Sequence, residues 1–160
     1  MMMVKLLCIG KLKEPFYKQA VEEYIKRLNG LCRLEIEEFP ENRLSQDPLD
    51  AEIEASLKKE AELIGTHIPP ASEVIAMCIE GKQLDSVDFA RYAEQCALNG
   101  KSRLCFLIGG SFGMHESLKQ KADFKLSMSS MTFPHHLARV MLLEQIYRAF
   151  QIQNGSKYHK

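Results

Sequence analysis

The 160-residue chain has no run of eighteen apolar residues, no C-x-x-C pair and no formal net charge. Without a long apolar run, no transmembrane helix is expected. Met1 to Gly10 carries one lysine and only a short apolar stretch before Lys11-Leu12-Lys13-Glu14, so it reads as a first strand, not a signal peptide. The five cysteines, Cys8, Cys32, Cys78, Cys96 and Cys105, are odd in number, and most sit in apolar runs where a free thiol acts as a small hydrophobe. A reduced, cytoplasmic setting without zinc is expected. There is no internal repeat, low-complexity tract or linker, and the length suits a single domain spanning 1–160.

A balanced charge argues against strong nonspecific nucleic-acid binding, but the charge is unevenly placed. Glu35 to Glu62 holds ten acidic and three basic residues, a net of −7. Pro134 to Lys160 holds Arg139, Arg148, Lys157 and Lys160 against Glu144, a net of +3 before its histidines are counted. Lys11 to Arg33, with six basic and three acidic side chains, is also +3. An RNA partner would meet the two chain ends, although ordinary solvated faces account equally well for the N-terminal charges.

Apolar runs and helical spacings alternate. Strands are expected at Val4 to Ile9, Leu34 to Phe39, Glu73 to Ile79, Arg103 to Ile108 and Phe124 to Ser127. Helices are expected at Glu14 to Leu28, from Asp50 through Ile64 with Glu60 and its neighbours facing solvent, from a Ser86 cap to Asn99-Gly100, at Glu116 to Lys121, and at Pro134 to Gln151. Pro40 to Leu49 reads as a loop. The order implies an α/β fold, a mostly parallel sheet with helices on both faces. Ligands of such sheets bind at the carboxyl ends of the strands.

Two loops at that edge stand out. Gly109-Gly110-Ser111-Phe112-Gly113 follows the fourth strand directly, and glycines there let backbone amides approach a nucleotide-like ligand. Its spacing does not match G-x-G-x-x-G, no acidic residue ends a strand about twenty positions on, and there is no G-K-[ST], so dinucleotide and P-loop sites are disfavoured. Simple turn formation is the alternative. A Cβ at Gly109 is expected to block the ligand while leaving the fold intact. Met128-Ser129-Ser130-Met131-Thr132-Phe133 joins a strand to a helix, and its apolar side chains must pack on a ligand's ring or thioether, or on the protein's own core.

His135 and Arg139, four residues apart, share a face of the last helix. The arginine suits a phosphate or an anionic base, and the histidine suits either the site or a local cap bond. A His135-His136 metal pair is disfavoured, because adjacent helix residues point apart and no ligand cluster accompanies them. Glu144 and Arg148 read as an i, i+4 ion pair. The last helix is apolar on nearly every side, from Leu137 to Ile152, so one face is expected to meet a second surface, most naturally a homodimer contact. Residues Asn154 to Lys160 have no evident packing role and by default form a disordered end, yet Tyr158 suits base stacking and the lysines suit phosphate.

These segments, from Gly10-Lys11-Leu12-Lys13 to Tyr158-His159-Lys160, resemble the RlmH family of SPOUT-class methyltransferases, which methylate N3 of a pseudouridine in large-subunit ribosomal RNA. The resemblance implies S-adenosylmethionine as cofactor, ribosomal RNA as substrate, a homodimer and a trefoil-knotted backbone. Position by position it places Met77, Gly109, Met128, Ser129, Ser130, Met131, Thr132 and Phe133 at the cofactor. Members often carry leucine where Met77 stands and aliphatic or aromatic residues at Met131 and Phe133, so the apolar character is kept. His135, Arg139, Tyr158 and His159 are the candidates for base or electrostatic roles, with no ranking among them. The alternatives are a SPOUT methyltransferase acting on another RNA such as transfer RNA, or a ribosome-associated binding module without turnover.

Overall fold

Ten elements alternate between strand and helix in the computed structural model, which describes residues 1–159. They are β1 (Met3–Ile9), α1 (Pro15–Leu28), β2 (Arg33–Phe39), α2 (Asp50–Gly65), β3 (Glu73–Gln83), α3 (Ser86–Leu98), β4 (Arg103–Ile108), α4 (Glu116–Gln120), β5 (Phe124–Ser127) and α5 (His135–Gln153). The strands form one sheet in the order β2-β1-β4-β3-β5, and every pairing is parallel. The expected α/β architecture is therefore present.

The central strands β1 and β4 are near-continuous apolar runs because both of their faces are covered. Leu6, Cys8, Leu104, Phe106 and Ile108 pack into one layer with α1, α3 and α5. Leu7, Ile9, Cys105 and Leu107 pack into the other with α2 and α4. Edge strand β2 alternates instead, and its Glu35 and Glu37 bracket Lys5 of β1 at 3.4 and 3.2 Å. All five cysteines are free thiols, four of them buried.

Three local expectations need correction. Glu60 is not on the solvent face of α2 but buried, where its Oε2 accepts from the Asn42 amide at 3.5 Å and burial pushes its carboxyl pKa up. Asp85, not Ser86, caps α3 by accepting from the Asp88 amide at 2.7 Å, while the Ser86 hydroxyl donates to Gln145 of α5 at 2.6 Å. Strand β3 runs on to Gln83: it pairs with β5 through Met77, breaks register, and pairs with Leu126 again at Lys82. Gly81 makes this second approach possible, since a Cβ there would lie 2.7 Å from the backbone of Lys125.

Candidate functional site

The sheet register gathers the expected cofactor residues. Met77 of β3 lies opposite Ile108, the last residue of β4, and opposite Leu126 of β5. Gly109 and Met128 follow those strands within two residues, so three distant parts of the sequence meet at one carboxyl edge. Beyond Met128 the chain folds on itself: the Ser127 hydroxyl donates to the Ser129 carbonyl at 2.9 Å, and the Ser129 hydroxyl accepts from the Met131 amide at 3.0 Å. These bonds satisfy local backbone groups and turn Met131 outward, leaving it 73% exposed. Ser130 and Thr132 are also exposed, and Phe133 is half-buried.

The Gly-rich turn closes through a bond from the Gly113 amide to the Gly110 carbonyl at 3.0 Å. Both of its first glycines are required by the protein itself. A Cβ at Gly109 would collide with the Gly113 carbonyl oxygen and lie 2.7 Å from the Gly113 carbonyl carbon. One at Gly110 would lie 2.6 Å from Glu41 Oε1 and 2.8 Å from Ile9. The expectation that Gly109 could take a side chain without disturbing the fold is thus wrong, because the turn doubles back directly onto it.

His135, at the first position of α5, stands over the end of β1. A Cβ on Gly10 would lie 3.3 Å from its Nε2, 3.5 Å from His136 Nε2 and 3.6 Å from Glu41 Oε2. The two imidazoles do not point apart as expected; their centroids are 4.1 Å apart, since the helix has only just begun. Each faces a carboxylate at ion-pair but not hydrogen-bond range, His135 with Glu41 at 3.9 Å and His136 with Glu14 at 3.8 Å. Both Nε2 atoms are buried without a hydrogen-bond partner among the described residues. Burial lowers the His135 pKa, helped by the neighbouring His136 and Arg139 and opposed by Glu41 and Glu14. Among the described residues no group of three or more histidine, cysteine or acidic side chains is placed to hold a metal ion.

Arg139 lies one turn on and is 1% exposed. Its Nη1 donates to Glu38 Oε2 at 2.7 Å and its Nη2 to the Gly10 carbonyl at 3.0 Å, while Glu38 Oε2 also accepts from the Leu12 amide at 3.1 Å. Burial pushes the Glu38 pKa up, but the Arg139 and Leu12 bonds and the Arg139 charge outweigh it and hold it below the ordinary range. Sequence reasoning missed Glu38 and Glu41, which looked like members of an acidic stretch. The only available signal was their position at the carboxyl end of a strand.

The C-terminal residues pack back on α5. The Tyr158 hydroxyl donates to Glu144 at 3.1 Å, its ring lies edge-on to Tyr147, and the Arg148 guanidinium sits 4.7 Å over it. Glu144 also accepts from Arg148 at 2.9 Å, as the i, i+4 spacing implies. Arg148 Nη1 donates to His159 Nδ1 at 3.1 Å; arginine only donates, so the docked neutral imidazole carries its proton on Nε2. Tyr158 and His159 thus have a packing role that the sequence did not reveal, and Lys160 lies outside the described residues. Among the described residues of this region Arg139 and Arg148 are both paired with carboxylates and Lys157 is exposed.

A cavity of about 360 Å³, in the range of small-molecule sites, opens between the start of α3, the end of β5 and α5. Leu84, Asp85, Met128, Met141 and Glu144 are among its walls. Of the expected cofactor residues Met128 alone lines it, so the cavity and the 128–133 loop share one edge. Glu144 ties its far wall to Tyr158.

The arrangement defines a parallel α/β protein whose Gly-rich turn and 128–133 loop lie together at one edge of the sheet. Residues 2–159 match the family described as "Predicted SPOUT methyltransferase". The chain belongs to the SPOUT methyltransferase family. A protein of Clostridium perfringens strain SM101 named "Ribosomal RNA large subunit methyltransferase H 1" is 44% identical over 159 residues, covering 99% of this chain and 100% of that protein. Proteins named "Ribosomal RNA large subunit methyltransferase H" from Carboxydothermus hydrogenoformans and Clostridium botulinum strain Kyoto are 44% and 45% identical over the same shares. A solved structure, a probable methylase family protein from Haemophilus influenzae Rd KW20, superposes with a TM-score of 0.50 at 13% identity, over 99% of this chain and 70% of that one. That likeness concerns the fold alone.

Proposed function

We propose that the chain is a homodimeric, S-adenosylmethionine-dependent methyltransferase that methylates N3 of a pseudouridine in large-subunit ribosomal RNA in the cytoplasm. The observation that carries this reading is the meeting of Met77, Gly109 and the 128–133 loop at one sheet edge, with Met131 held outward by two local hydrogen bonds. The exposed Met131 thioether and the half-buried Phe133 ring, beside a glycine-lined backbone turn, fit a ligand with an adenine ring and its own thioether-like arm. The relatives' names, over their full length, point to the substrate.

The cofactor supplies a methyl group on a sulfonium, already a good leaving group, so the protein's task is alignment and removal of the N3 proton. His135 is the candidate proton acceptor: burial lowers its pKa and so favours the neutral imidazole, and its Nε2 has no hydrogen-bond partner among the described residues. That atom is buried in the free chain and must be uncovered when RNA binds. His159 suits the task less while docked, because Nδ1 is taken by Arg148 and Nε2 carries the proton. Arg139 is a positioning residue in this reading, since its guanidinium is buried against Glu38 and Gly10. Tyr158 and His159 are assigned to the RNA side.

Membership of the family implies a knotted backbone. A homodimer is supported by Phe16 and Ile25, 62% and 43% exposed on α1 beside the apolar helix α5. Calorimetry with S-adenosylmethionine, followed by methyl transfer to intact ribosomes, naked ribosomal RNA and transfer RNA, tests the reading. Sedimentation at micromolar concentration tests the dimer.

A further inference from the structure

Glu41, in the loop after β2, places its carboxylate between two glycines of different loops. Oε1 accepts from the Ser111 amide of the Gly-rich turn at 2.7 Å, and Oε2 lies 3.9 Å from His135 Nε2 at the start of α5. The space it occupies exists because Gly110 lacks a side chain: a Cβ there would lie 2.6 Å from Oε1, whereas one on Gly10 would lie 3.6 Å from Oε2, an ordinary contact. One side chain therefore joins the turn after β4 to the helix that follows the 128–133 loop. Ser111 is the second residue of the β-turn closed by Gly110 and Gly113, and its amide has no role inside that turn.

We propose that Glu41 is a positioning residue of the cofactor site, holding the Gly-rich turn in its binding geometry through the Ser111 amide. The inference rests on the reading of that turn as cofactor-binding. An untethered turn is free to swing at Ser111 and Phe112, whose ring is 49% exposed. The turn must then be ordered at the moment of binding, and affinity falls by the ordering cost. His136, Arg139 and Glu14 also face His135 but make no hydrogen bond to the turn, so among these groups only Glu41 links the two loops.

The test is S-adenosylmethionine affinity by calorimetry on the full chain, with thermal midpoints recorded for each variant. Glu41→Ala is expected to weaken binding about tenfold, the scale of one lost hydrogen bond to a charged acceptor. Glu41→Gln keeps an acceptor oxygen and is expected to stay within about threefold of wild type. Ser111→Pro removes the donor at a turn position that accepts proline, so it tests the same tether from the other side. It should weaken binding as Glu41→Ala does, and the double variant should lose no more than either alone. Wild-type affinity in folded Glu41→Ala, equal losses in Glu41→Gln and Glu41→Ala, or additive losses in the double variant would overturn the inference. Failure of the wild-type chain to bind S-adenosylmethionine overturns the cofactor reading, and this inference with it.

Discussion

Arg139 and Glu38, 101 residues apart, form a 2.7 Å ion pair that locks the start of α5 to the end of β2, with the β1–α1 loop held between them through Gly10 and Leu12. The guanidinium is 98% buried and Glu38 about two-thirds buried, so the pair is shielded on one side only. Removing the cation leaves a carboxylate and the Gly10 carbonyl short of a donor. Arg139→Met is expected to cost about 3 kcal/mol, the lower end for breaking a buried pair. Arg139→Lys should recover only part of this, because an ammonium cannot serve both acceptors with a planar fork. Urea unfolding followed by circular dichroism checks both; an unchanged midpoint in Arg139→Met would remove Arg139 from the positioning role.

A second prediction concerns the Gly-rich turn. Gly109→Ala forces a Cβ against the Gly113 carbonyl, so stability should fall by roughly 1 to 3 kcal/mol even before any ligand is added. Gly113, by contrast, has open space where a Cβ would go but a φ of +85°, so its substitution costs backbone strain and no collision. A Gly109→Ala protein as stable as wild type would contradict the close approach of the Gly113 carbonyl to Gly109.

The pH dependence of stability follows from His135. Its folded pKa lies below the ordinary 6.5, chiefly through burial. Protonation therefore favours the unfolded chain: the stabilising contribution is complete above about pH 6.5 and is lost as pH falls through the lower folded value. Unfolding midpoints measured between pH 8 and 5 should decline on the acid side. His135→Asn should flatten that decline, whereas an identical pH profile in the variant would show that another group is responsible.

The order of strands and helices and the glycine and methionine loops were legible because each depends on local pattern: an apolar run between turn residues, or a Gly cluster directly after it. What escaped depends on residues brought together by the sheet. Glu38, Glu41 and Glu60 look alike in an acidic stretch, yet one anchors Arg139, one tethers Ser111 and one is buried against Asn42. No spacing rule separates them. Arg139 was legible as a special residue, four from His135, but its burial was not, since its partner lies three strands away in sequence. Gly81 carried no signal at all, because only the second approach of β3 to β5 makes a side chain there impossible.

The packing of the C-terminal segment on α5 and its proposed contact with RNA can be tested separately. Tyr158→Phe removes the bonds to Glu144 and keeps the ring, so it should cost roughly 1 kcal/mol of stability with little change in methyl transfer. Tyr158→Ala also removes stacking worth roughly 1 to 3 kcal/mol toward an RNA base. Deleting residues 154–160 should abolish methyl transfer while sparing S-adenosylmethionine affinity. Single-turnover rates at saturating ribosome concentration decide between these roles; wild-type rates in the truncated chain would confine catalysis to the surroundings of His135.

The central claim is the reaction itself, and mass spectrometry of large-subunit ribosomal RNA tests it most directly. RNA from a strain lacking this chain should contain one pseudouridine without its N3 methyl group, and incubation of those ribosomes with the purified protein and S-adenosylmethionine should restore it. A fully methylated nucleotide in the absence of the chain, or no methyl gain on ribosomes with a gain on transfer RNA, would contradict the account.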